Sequence, residues 1–157
     1  KEDIAELKLR MDIIPTSLAI AQAAKESGWG TSRFALEGNA MFGQWTWGKD
    51  GIVPKEKKTN QEHKILKFPM LRSSVKAYMF NLNTHRGYKD FRDARAELRK
   101  NNKTISGLDL VNYLQNYAQT GSEYTKVLKK IINQNQLTDF DKSILMNRGK
   151  TSNSLTL

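Results

Sequence analysis

The chain has no cysteine, only three prolines and only two histidines in 157 residues. The missing thiols exclude disulfides and thiolate metal sites, so stability must come from apolar burial, and they favour neither an oxidising nor a reducing compartment. His63 has no Asp, Glu or His partners at ligand spacing, so no metal site is expected, and nothing calls for a cofactor. No apolar run approaches the roughly eighteen residues of a membrane-spanning helix, and no export signal stands at the N-terminus. The start at Lys1 without methionine suggests an excised piece, any export signal lying upstream. There is no internal repeat and no low-complexity domain.

What is present supports one core and one domain: 38% of the residues are hydrophobic, enough at this length for a single sizeable interior. Lysine and arginine total 26 against 16 acids, a formal charge of +10. Such an excess favours a polyanionic partner or surface. The basic residues are scattered rather than striped, and no helix-turn-helix, zinc-finger or RNA-recognition pattern accompanies them, so nucleic acid is not the expected partner.

The stretch Ile20 to Ser32, IAQAAKESGWGTS, organises the rest. Pro15 suits a first helical turn and Gly28 the left-handed position just past a helix end, which predicts a helix over about 15–27. At 3.6 residues per turn, Leu18, Ala19, Gln22, Ala23 and Glu26 share one face, so Glu26 lies on an otherwise apolar stripe and is expected to be half buried. Glutamates are usually solvated surface acids. Here a negative charge faces the negative end of the helix dipole, which offers no local stabilisation, while desolvation would raise its pKa toward the range of a general acid.

Ala21-Gln22-Ala23-Ala24-x-Glu26-Ser27-Gly28-Trp29-Gly30-x-Ser32 resembles the signature of the glucosaminidase domains of glycoside hydrolase family 73, peptidoglycan-cleaving β-N-acetylglucosaminidases with a lysozyme-like fold. Asn39-Ala-Met-Phe42-Gly43 resembles that family's N-x-FG segment. Tyr117-Ala118 followed by Tyr124 resembles its late Y-A-T-D-P-x-Y segment, with one extra residue of spacing and no Asp-Pro. Asn81-Leu-Asn-Thr-His-Arg86 with Tyr88 and Phe91-Arg92 looks most like the bacterial Bax branch. The match spans about 14–137.

The resemblance implies Glu26 as the acid that protonates the glycosidic oxygen, and a small β-lobe beside the cleft that often carries a second glutamate. Glu56, on the first strand expected there, is preferred to Glu62 in the turn; either could equally be a solvated surface charge. Of the late tyrosines, Tyr117 is the better match for the one that reaches the cleft and is a further catalytic candidate, and Tyr124 flanks the same corner. Gln22, Phe42, Trp45, Trp47 and Tyr124 are the expected substrate contacts. Trp45 and Trp47 alternate in the glycine-flanked segment 41–48, which would put both rings on one side of an extended backbone; core packing is their commoner use, stacking on sugar faces the functional one.

The remaining pattern predicts further helices. One begins at Thr31 or Ser32 with Phe34 and Leu36 inward, and one is capped by Ser73 with Val75, Tyr78, Met79 and Leu82 inside. Others follow over 90–100, from Ser106 or Asp109, and over 122–133. Apolar-polar alternation over 52–56 and 64–68 predicts a hairpin, with Pro54 on an edge. The expected fold is therefore α+β and predominantly helical, a lysozyme-like domain over 1–137 with a partly disordered extension over 138–157. The expected function is that of an endo-β-N-acetylglucosaminidase acting on peptidoglycan in the bacterial envelope, as a monomer. A glycan-binding module without activity and a lytic transglycosylase are the alternatives.

Overall fold

The computed structural model describes residues 2–49, 51–53 and 64–144. Helix α1 (Glu2–Arg10) precedes the signature helix α2 (Thr16–Ser27) and the short α3 (Arg33–Gly38). A three-stranded antiparallel sheet follows, from β1 (Trp45–Thr46), β2 (Gly51–Ile52) and β3 (Lys64–Leu66). The rest is helical: α4 (Leu71–Thr84), α5 (Lys89–Lys100), α6 (Gly107–Leu110) and α7 (Ser122–Gln134), with 3-10 turns at Arg86–Tyr88, Val111–Tyr117 and Leu137–Lys142. The fold is α+β and mostly helical.

Helix α2 sits at the centre because its small residues admit neighbours on several sides. Leu18 and Ala21 are fully buried, and α2 packs against α6, α7 and the final 3-10 turn. The core is completed by Tyr78 and Leu82 from α4, Phe91 from α5, Leu110 and Leu114 after it, and Leu128 and Ile132 from α7. At its start, α2 lacks a side-chain cap of its own. Asp141 supplies one from the far end of the chain: its carboxylate accepts from Ser17 N at 2.8 Å, from Ser17 Oγ at 2.7 Å and from Gly107 N at 3.1 Å. A carboxylate at a helix N-terminus meets both the unpaired N–H groups and the positive dipole end. The packed body thus continues through Lys142.

Several local expectations change in three dimensions. The sheet is more than a hairpin: β3 pairs with β2 (Gly51 opposite Leu66) and on its other edge with β1 (Trp45 opposite Ile65), so the tryptophan segment is itself a strand. Leu36 is 72% exposed rather than inward, and Ala35 takes the buried place on α3. Helix α4 begins two residues before Ser73, with Met70 as its cap residue, and Met79 is on its exposed side. The buried charges of α5 were not foreseen: Arg95 donates to the carbonyls of Leu9, Asp12 and Ile13, and Arg92 to those of Leu82 and His85. Each guanidinium replaces hydration with carbonyl acceptors, which is how an arginine can be buried. Pro54, Glu56, Glu62 and His63 lie outside the described residues.

Candidate active site

Helix α2 ends where the sequence predicts. Gly28 is left-handed at φ 58° and returns its N–H to Ala24. Trp29 and Gly30 also have positive φ, at 58° and 78°, and a bulky residue in that region is uncommon. Ser27 holds the turn: its hydroxyl donates to Ala23 O at 2.6 Å and accepts from Gly30 N at 2.8 Å. The chain therefore breaks sharply just after Glu26.

Glu26 is half buried in the wall of a cleft of about 480 Å³ lined also by Phe42, Gly43, Gln44, Trp45, Asn81, Tyr88, Tyr117, Ala118 and Gln119. Among the described residues of that lining it is the one carboxylate. Desolvation raises its pKa above the usual 4.5, opposed in part by a hydrogen bond from Tyr124 and by the charge of Lys25. A carboxyl so placed holds its proton to higher pH than a surface glutamate, as proton donation requires.

The walls are aromatic. Phe42 stacks on Tyr78 at 4.0 Å, and Tyr117 stacks on Tyr124 at 5.6 Å with the rings within 6° of parallel. Tyr88 lies 6.1 Å from Tyr117. The Tyr117 hydroxyl donates to Phe42 O at 3.1 Å, tying the late segment to the segment that carries Gly43. Burial and the nearby Glu26 charge push the Tyr117 and Tyr124 hydroxyls well above their ordinary range, so both remain protonated donors.

The structure brings Glu26, Phe42, Trp45 and Tyr117 together on the cleft surface. Gln22 and Tyr124 lie beneath it: both are buried, and Gln22 Nε2 donates to the Tyr124 hydroxyl at 3.0 Å. Trp47 is 72% exposed and outside the lining, while Trp45 is 51% exposed and within it. Glu56 and Glu62 fall in the segment between β2 and β3 that is not described. Sequence reasoning missed Gln44, Asn81, Tyr88 and Gln119 as lining residues. Asn81 and Tyr88 had a signal, since both stand in the 81–92 motif; Gln119 follows the Tyr117-Ala118 pair, and Gln44 follows Phe42-Gly43.

A family model described as Glucosaminidase, mannosyl-glycoprotein endo-beta-N-acetylglucosaminidase, matches residues 1–137. The chain belongs to the glucosaminidase family. This glucosaminidase domain is also 38% identical over 130 residues to the protein named Protein bax of Escherichia coli (strain K12), covering 81% of the chain and 45% of that relative. The chain thus spans less than half of the relative's length. No solved structure matches the domain. Among the described residues, no helix is long and apolar enough to cross a membrane.

Proposed function

We propose that this glucosaminidase domain is a peptidoglycan hydrolase of the bacterial envelope, an endo-β-N-acetylglucosaminidase in which Glu26 protonates the glycosidic oxygen. The observation that carries the reading is the half-buried Glu26 carboxyl, proton-retaining and facing an open cleft with aromatic walls. Pyranose rings present apolar C–H faces that stack on such walls, and Trp45 and Tyr88 offer them. Gln44, Asn81 and Gln119 add amide groups that can read hydroxyl and acetamido groups. The excess of basic residues would hold the domain near the stem-peptide carboxylates of the wall. We read the helical body with its small sheet as a lysozyme-like arrangement acting as a monomer.

Cleavage needs a second contribution at the oxocarbenium-like centre. We assign it to Glu56, ahead of Glu62, because a separate acid can activate water or stabilise the developing charge. A second reading is that the substrate's own acetamido group assists, or that the enzyme is a lytic transglycosylase that forms an anhydro end. Mass spectrometry of purified peptidoglycan after incubation separates hydrolysis from transglycosylation and from binding without cleavage. Reducing N-acetylglucosamine ends support the hydrolase, anhydro ends support the transglycosylase, and an unaltered polymer that retains bound protein supports a binding module.

A further inference from the structure

Beneath the cleft a line of buried polar groups crosses three helices. The Tyr78 hydroxyl on α4 donates to Gln22 Oε1 on α2 at 2.8 Å. Gln22 Nε2 donates to the Tyr124 hydroxyl on α7 at 3.0 Å, and that hydroxyl faces the Glu26 carboxyl, whose pKa it lowers. Tyr78 and Gln22 are fully buried and Tyr124 is 2% exposed, so water does not compete along the line. The rings are clamped, Tyr78 by Phe42 and Tyr124 by Tyr117, and Gln22 lies one helical turn before Glu26 on a rigid face.

We propose that Tyr78 and Gln22 are positioning residues that give this line a single direction, so that Tyr124 always donates to the inner oxygen of Glu26 and the acidic proton is kept on the oxygen facing the cleft. The inference rests on Glu26 being the proton donor. Its logic is a count of donors and acceptors. In the observed orientation the Tyr78 hydroxyl and the bridging amide N–H each have an acceptor, which leaves the Tyr124 hydroxyl proton for the Glu26 carboxylate. With the Gln22 amide turned over, Oε1 would take the Tyr124 proton, Glu26 would lose its donor, and Tyr78 would be left as a buried hydroxyl without an acceptor. Buried unpaired donors are disfavoured, so Tyr78 locks the amide. The turned state matters because in it a protonated Glu26 donates inward to Tyr124, withdrawing the proton from substrate. The groups facing Glu26 are Lys25 on its own helix, Tyr117 from the turn before α7 and Tyr124 from α7. Gly43, on the cleft side, brings backbone alone.

Removing the lock should therefore raise the Glu26 midpoint and yet slow the reaction. In Tyr78→Phe, the Glu26 titration followed by carboxyl-carbon NMR should move up by about one pH unit, the scale of one hydrogen bond to a charged group. On peptidoglycan, kcat should fall roughly three- to tenfold with KM unchanged, the pattern of an interaction made in the transition state. The double variant Tyr78→Phe/Gln22→Leu has no competing Oε1, so the midpoint should return toward wild type. An unmoved midpoint in folded Tyr78→Phe, or a double variant that shifts further, overturns the proposal. In wild type the Gln22 side-chain amide resonances should titrate with the Glu26 midpoint, a test that holds even where a variant does not fold; amide signals indifferent to that midpoint overturn the proposal as well. An inert wild-type protein that still shows these shifts counts against the glycosidase reading and supports the line.

Discussion

Gly43 leaves free the space that the Glu26 carboxylate fills: a β-carbon built on Gly43 would lie 3.0 Å from Glu26 Oε2. Gly43 also has φ +62°, a conformation that L side chains rarely adopt. Gly43→Ala should therefore cost about 1 to 3 kcal/mol in thermal unfolding. It should also lower turnover on peptidoglycan by displacing the carboxyl, and a variant equal to wild type in both would show that the close approach is incidental.

Glu26→Gln should keep the fold and lose turnover, because the amide preserves shape and the Tyr124 contact but has no acidic proton. The loss should be at least roughly 10² to 10⁴-fold, the usual contribution of a positioned proton donor. The raised pKa sets the pH dependence. A carboxyl whose folded pKa lies above its unfolded value contributes stability at low pH that is lost as pH rises through the folded pKa. Glu26→Gln should thus melt higher than wild type near neutrality and show no such gain below about pH 4. Activity of the wild type should fall on its basic side with a midpoint above 4.5.

Trp45 and Trp47 should separate. Trp45→Ala should weaken glycan binding by about 1 to 2 kcal/mol, or roughly 5- to 30-fold, since its ring lines the cleft. Trp47→Ala should change it by no more than about twofold. Calorimetric titration with soluble glycan fragments checks both, and equal losses would extend the binding surface beyond the cleft lining.

Glu56→Gln should lower kcat by about 10² to 10⁴ with KM little changed if Glu56 activates water. The loss moves to Glu62→Gln if that residue serves instead. Full activity in both variants would leave assistance to the acetamido group or to a cleft tyrosine such as Tyr117.

Asp141→Ala removes an acceptor from three donors at the start of α2 and should cost about 2 kcal/mol or more in chemical denaturation. The helix that carries Glu26 loses the carboxylate that caps its N-terminus, so truncation before residue 141 should destabilise the domain in the same way.

How far the sequence reaches is set by the range of the interactions involved. Helix α2, its left-handed stop at Gly28 and the half burial of Glu26 were legible because 3.6-residue periodicity and glycine's freedom at positive φ act within a turn or two. The mixed helix-and-sheet class followed from the same local patterns, and the fixed spacing of the signature pointed to the family. The tertiary structure decided what depends on distant partners. Whether Gln22 faces the cleft or the core depends on Tyr78 and Tyr124, 56 and 102 residues away. Which of Trp45 and Trp47 lines the cleft depends on β1 pairing with β3 across the sheet. The burial of Arg92 and Arg95 rests on backbone carbonyls that the helical pattern of α5 does not announce, and Asp141 reads as part of a polar tail because its Ser17 donors are 124 residues earlier. Polar groups can be buried only where acceptors and donors meet in space, and that matching is a property of the folded chain.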